Sequence, residues 1–231
     1  VSEPTLRVSV IVPALNEERR LPGLLEALRW MPVHEVIVAD GGSTDRTAAI
    51  AAATGAKVIS APRGRGSQQA AGARLATGTV LWFLHADAVP PPDAIARIRE
   101  ALREPEVVGG AFYLRTVSEG DRGGRGSWLR IADLRSRLTG YPYGDQGIFV
   151  RRSAYEAAGG MPEQPLLEDL ALVRALRRVG ALRTVPVEVT VSGRRFEARP
   201  LYYLLVMNLF PTLYRLGVSP DTLARWYHNE R

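Results

Sequence analysis

Short apolar runs alternate with stretches of helical spacing through the first hundred residues. Val8-Ser-Val-Ile-Val12 is a β-branched run, short enough for a buried parallel strand. Leu21, Leu24, Leu25, Leu28 and Met31 then recur at helical intervals until Pro32 stops the pattern. Asn16 is placed to cap that helix, with Glu17 and Glu18 in its first turn. Residues 35–39 predict a second strand, 41–45 a turn, and 47–54 an alanine-rich helix closed by Gly55. A third strand at 57–60, a helix at 66–76 and a fourth strand at 79–84 follow. Pro90 to Pro92 punctuate the chain before a helix at 93–102.

Strands and helices alternating at this spacing imply βαβ units and a mostly parallel sheet flanked by helices. Ligands of such sheets bind beyond the carboxyl ends of the strands. The second half is less regular. Residues 107–116 predict a strand in which Gly109 and Gly110 mark a bulge or a close backbone approach. A Gly/Arg/Asp loop at 118–126 is expected to be mobile. A short strand at 147–151, a helix at 168–179 and a strand at 182–191 complete the α/β pattern. From Pro200 the chain reads as helical and rich in aromatics. The organisation expected is one domain over residues 1–199 and a helical extension over 200–231, packed on that domain or on a membrane surface.

Composition narrows the chemistry. The 231 residues contain no cysteine, which removes disulfides, thiolate metal sites and cysteine nucleophiles. His34, His85 and His228 are far apart in sequence, so a histidine-rich metal site is not expected, and His34 and His228 read as structural. Lys57 is the only lysine among 30 basic residues, and the formal charge is +6. Arginine is the better residue for bidentate phosphate contacts, although a coding bias would give the same composition. The arginines are spread along the chain, not interleaved with aromatics, so a nucleic-acid partner is not expected. No leader-like apolar run opens the sequence and no stretch of 18 apolar residues occurs. The expected location is the cytoplasm, with peripheral contact at the inner face of the membrane as an alternative.

The strand ends carry the polar residues. The first strand ends in Pro13-Ala-Leu-Asn-Glu-Glu18, the second in Asp40-Gly-Gly-Ser-Thr-Asp45, the fourth in His85-Ala-Asp87. The first turn lacks the glycines of a dinucleotide fingerprint or a P-loop. Arg63 and Arg65 lie in a glycine-flanked loop before a helix N-terminus, a suitable place for phosphate.

These segments, read together, resemble family 2 glycosyltransferases of the GT-A fold. The resemblance is carried by Val10-Ile-Val-Pro-Ala-Leu-Asn-Glu17, Ala39-Asp-Gly-Gly-Ser-Thr-Asp45, the stretch from Arg63 to Arg74, Leu81-Trp-Phe-Leu-His-Ala-Asp87 and Leu167-Glu-Asp-Leu170. It implies inverting transfer of a sugar from a nucleotide diphosphate sugar, assisted by a divalent cation, Mn²⁺ or Mg²⁺. Pro13, Ala14 and Glu17 match nucleotide-contacting positions, and Asp40 matches the carboxylate that meets the base. Asn16, Arg63, Gly66, Gln68 and Ala86 complete the expected nucleotide set. Asp87 matches the metal-binding aspartate of D-x-D, whose first acidic position is His85 here. Asp169 matches the proposed catalytic base, with Glu168 as its neighbour.

The chemistry suits these residue types. A departing sugar diphosphate is a multiply charged anion that a cation or arginines must neutralise. One carboxylate plus a diphosphate and water can hold Mg²⁺ or Mn²⁺. A carboxylate can act as base if desolvation or a neighbouring charge raises its pKa. Each residue also has a plainer reading. Asn16, Glu17, Glu168 and Asp169 could serve only as helix caps and dipole partners, and Asp87 could be a turn residue. Tyr143-Gly-Asp-Gln-Gly147 is a sugar or acceptor pocket carrying Asp145 and Gln146, or a plain turn. Arg194 and Arg195 reach the diphosphate, or form a solvated basic pair. The apolar tail at 201–210 packs on the domain, or lies as an interfacial helix suited to a lipid-linked acceptor. A nucleotidyltransferase and a non-catalytic nucleotide-binding protein of the same fold are the rival functions.

Overall fold

The computed structural model describes residues 6–117, 133, 142–194 and 198–227. The loop expected at 118–126, Arg195 and His228 lie outside the described residues.

Seven strands form one sheet in the order β3-β2-β1-β4-β6-β5-β7. The strands are β1 (Val8–Ala14), β2 (Glu35–Asp40), β3 (Lys57–Ser60), β4 (Val80–Phe83), β5 (Val107–Val117), β6 (Phe149–Arg151) and β7 (Ala181–Ser192). Strands β1 to β4 pair in parallel, as do β5 and β7. Strand β6 runs antiparallel to both β4 and β5. Its N-terminal end therefore joins the carboxyl ends of its neighbours on one edge.

Side-chain alternation sorts the core into two layers. On β1, Val8, Val10 and Val12 face one side with α1 (Leu21–Arg29) and α4 (Ala94–Ala101). Ile11 faces the other side with α3 (Arg65–Leu75), α5 (Arg152–Ala157) and α6 (Glu168–Leu176). Strand β4 divides likewise: Val80 and Trp82 join the first layer, Leu81 and Phe83 the second. Both strands are buried throughout, as a run apolar on both faces requires. Helix α2 (Thr47–Ala53) ends before Gly55, whose φ of +83° suits glycine.

Gly109 and Gly110 show both expected features. The β5–β7 register shifts between Val107 and Gly109. A Cβ on Gly110 would lie 2.0 Å from the Arg183 carbonyl oxygen. The two strands can approach this closely only without a side chain there.

One local expectation fails. Asn16 does not cap α1, which begins at Leu21 after Arg20. Asn16 instead adopts a left-handed φ of +54°. Its Oδ1 accepts from the Thr44 amide at 2.8 Å, and its own amide donates to Ser43 Oγ at 2.9 Å. Asparagine tolerates this conformation, and the clasp ties the loop after β1 to the loop after β2.

The C-terminal helices are α7 (Pro200–Arg215) and α8 (Pro220–Trp226). Val206, Phe210 and Leu223 bury against Leu166, the residue just before the turn into α6. No helix among the described residues is long and apolar enough to cross a membrane.

Candidate active site

A cleft of about 230 Å³ opens at the carboxyl edge of the sheet. The loop after β1 contributes Pro13, Ala14 and Glu17, and the end of β4 contributes His85, Ala86 and Asp87. Tyr143 and Asp145 enter from the turn before β6, Arg65 and Gln68 from α3, and Asp169 from α6. Ser192 and Arg194 follow β7, while Tyr203, Val206, Met207 and Phe210 of α7 and Tyr227 form the remaining wall.

Gln68 holds this floor together. Its buried amide donates to the carbonyls of Ala14 at 2.7 Å and Ala39 at 2.8 Å, the last turns of two adjacent parallel strands. Asp169 is fixed from above. Its Oδ2 accepts from the Gly144 amide at 2.6 Å, and its Oδ1 from the Leu170 amide at 2.7 Å. A Cβ on Gly144 would meet Asp169 Oδ2 at 3.2 Å and His85 Nε2 at 3.3 Å. The base candidate and the histidine of the β4 end thus approach the same point. Leu167, which precedes the two acids, has φ +60°, a strained value for leucine that aims α6 at the cleft.

The charges are arranged in pairs. Arg65 Nε lies 3.0 Å from Glu168 Oε1. Glu168 above all, with Asp169, Tyr227 and Asp145 further off, outweighs burial and holds the Arg65 guanidinium firmly charged. Arg194 Nη2 lies 3.6 Å from Glu17 Oε1 across the mouth. Asp87 makes no hydrogen bond or ion pair with another described residue.

Several candidates stand behind the cleft, outside its lining. Asp40 folds back on its own turn and accepts from the Ser43 hydroxyl at 2.5 Å and from the Gly42 amide at 3.2 Å. Aspartate followed by Gly-Gly-Ser supplies its own partners within the turn, so the carboxylate expected to meet the base is turned away from the cleft. Asn16 is the loop clasp already described. Arg63 is exposed and outside the lining, two residues before Arg65, which is inside it. Gly66 makes room for packing: a Cβ there would lie 2.4 Å from the Pro162 carbonyl oxygen. Gln146 is buried, donating to the Phe112 carbonyl and accepting from the Tyr143 amide. Glu168 is buried beneath Arg65 and does not line the cleft.

The sequence reading missed the wall built by α7, Leu166 and Leu167. An aromatic-rich tail signals burial, but nothing in its spacing says against which part of the sheet.

Residues 9–157 match the family model described as Glycosyl transferase family 2. The chain belongs to that family. A curated relative, the undecaprenyl-phosphate 4-deoxy-4-formamido-L-arabinose transferase of Serratia proteamaculans, is 28% identical over 224 residues, 90% of this chain. The chain spans 66% of that relative's length, and 65% of the corresponding transferase from Proteus mirabilis. Among solved structures, glucosyl-3-phosphoglycerate synthase of Mycobacterium tuberculosis, in complex with Mn²⁺, UDP and glucosyl-3-phosphoglycerate, has a TM-score of 0.58 at 23% identity. That match covers 81% of this chain and 71% of the synthase. Staphylococcus aureus TarS 1–349 in complex with UDP-GlcNAc has a TM-score of 0.60 at 19% identity, covering 81% and 58%. These likenesses show that the fold is of the GT-A type. The family match ends at residue 157, so Asp169, Arg194 and the α7 wall all lie beyond it.

Proposed function

We propose that the cleft transfers a sugar from a nucleotide diphosphate sugar to an acceptor hydroxyl, with inversion. The observation that carries this reading is the meeting of Asp87, Asp169, Arg65 and Arg194 around one cleft at the sheet edge where α/β folds bind ligands. Pro13, Ala14 and Glu17 hold the nucleoside side, with Gln68 fixing the strand ends beneath. Arg65 and Arg194 flank the diphosphate, and Arg194 exchanges Glu17 for a phosphate when the donor enters. Asp169, oriented by two backbone amides, takes the proton of the attacking hydroxyl.

A divalent cation fits the residues present in a restricted way. No group of three acidic or histidine residues suited to a metal exists among the described residues. Asp87, which has no hydrogen bond or ion pair with another described residue, is the carboxylate that would meet the ion, with His85 near it as a nitrogen ligand or a ribose contact. Such a site suits an ion whose other ligands are phosphate oxygens and water. When bound, the ion would neutralise charge on the departing diphosphate.

The nucleophile is read from Asp169. A carboxylate base has a task only if the attacking oxygen carries a proton. The names of the curated relatives specify a lipid phosphate. For this chain we retain a lipid-linked acceptor but place the reacting oxygen on a hydroxyl.

The test is donor hydrolysis and transfer across a panel of nucleotide sugars, with Asp87→Ala and Asp169→Asn alongside. Asp169→Asn should lower turnover by about 10²- to 10⁴-fold while leaving nucleotide affinity within a few-fold. Asp87→Ala should weaken binding of the diphosphate in the presence of Mn²⁺. Near-normal turnover in both variants would overturn the assignment. Nucleotide binding without any transfer by the parent would favour the non-catalytic reading.

A further inference from the structure

Helix α7 has two apolar faces with different surroundings. Val206 and Phe210 are buried against Leu166 and line the cleft, together with Tyr203. Leu201, Leu205 and Leu209, at i, i+4 and i+8, are 75%, 60% and 40% exposed. Leu216 and Trp226 are also exposed, at 78% and 54%. A run of exposed leucines at helical spacing on a single face is not the scatter of isolated apolar residues found on most surfaces.

The charges around that stripe identify its occupant. Helix α7 carries no acidic residue. Exposed arginines stand at its beginning and end, Arg199 and Arg215, and Arg225 is exposed next to Trp226. An apolar stripe on a helix with arginines at both ends and no acidic residue fits the headgroup region of an anionic bilayer. A helix of 16 residues is about 24 Å long, too short and too polar at its ends to span it.

We propose that α7 lies in the plane of an anionic membrane surface, with Leu201, Leu205 and Leu209 in the lipid and the opposite face roofing the cleft. This rests on the sugar-transfer reading only for its consequence. With one helix serving as both membrane contact and cleft wall, the cleft is held beside the bilayer surface, where an acceptor anchored in the bilayer presents its head to Asp169 past Tyr203 and Phe210.

The experiment is co-sedimentation of the whole chain with phosphatidylglycerol vesicles and with phosphatidylcholine vesicles, at low and high salt. Binding to the anionic vesicles should exceed binding to the neutral ones at least tenfold, and fall with salt. The double variant L201E/L205E, altered only at exposed positions, should lose at least tenfold of that binding while keeping its thermal transition. Asp169→Asn should bind vesicles like the parent, so a failure of the chemistry leaves this result intact. Equal binding by the double variant, or none by the parent, overturns the proposal. So does a parent dimer, seen by light scattering, that the double variant dissolves, because the stripe would then be covered by a second copy.

Discussion

Glu168→Gln separates the two adjacent acids that open α6. Glu168 is 3% exposed and its Oε1 lies 3.0 Å from Arg65 Nε, whose side chain is 28% exposed. At an effective dielectric near 20, such a contact is worth about 5 kcal/mol of Coulomb energy. Water at the part-exposed guanidinium screens some of it. Removing one partner of a buried pair costs about 3–5 kcal/mol, since the other charge stays desolvated. We expect Glu168→Gln to lose about 3 kcal/mol in urea unfolding, and Arg65→Met in the same chain to recover much of it by removing the orphaned charge. At a temperature where the variant stays folded, it should retain far more sugar-transfer turnover than Asp169→Asn. The reasoning is refuted if Glu168→Gln is as stable as the parent yet inactive while Asp169→Asn still turns over. Glu168 would then be the base, and its burial beneath Arg65 a poor guide to its role.

Gln68→Leu removes both donors to the ends of β1 and β2; Ala14 keeps the Gly41 amide but the Ala39 carbonyl loses its side-chain partner. A loss of about 2–3 kcal/mol in denaturant unfolding is expected, with weaker nucleotide binding, and an unchanged midpoint would count against the floor described above. Gly66→Ala drives a methyl to 2.4 Å from the Pro162 carbonyl oxygen and should cost about 1–3 kcal/mol in a thermal melt, more than Ala substitution of exposed Gly23. Burial alone would raise the Glu35 pKa, but the Lys57 ammonium, the Ser9 hydroxyl and the Thr77 amide and hydroxyl bring it down to about 2. Its folded value lies below its unfolded one, so its stabilisation is complete above about pH 4.5 and is lost as pH falls toward 2. That contribution is at most about 3 kcal/mol, and less for the half-exposed Lys57. Glu35→Gln should flatten the stability profile over that window in acid titration monitored by circular dichroism.

The sheet was legible because burial on both faces leaves a period-free apolar run, and β1 and β4 carry such runs. Their polar ends point to one edge, and His85, Asp87, Glu17 and Asp169 do line one cleft there. What sequence could not resolve was which polar residue turns inward. Asp40 and Asn16 sit at the same strand ends, but a short side chain next to Gly, Ser or Thr finds its partners within the turn. Arg63 precedes the Gly64 cap and Arg65 opens α3; only Arg65 lines the cleft, where Glu168, more than a hundred residues away, pairs with it. The antiparallel β6 was hidden for a similar reason: three residues carry too little pattern to show direction. Long-range partners also decided the tail. Its apolar residues are spread all round the helix, which announces two contacts and names neither. One of those contacts is now seen to be Leu166 at the cleft. The other face, Leu201, Leu205 and Leu209, is exposed, and the arginines at both ends of the helix argue for lipid over protein.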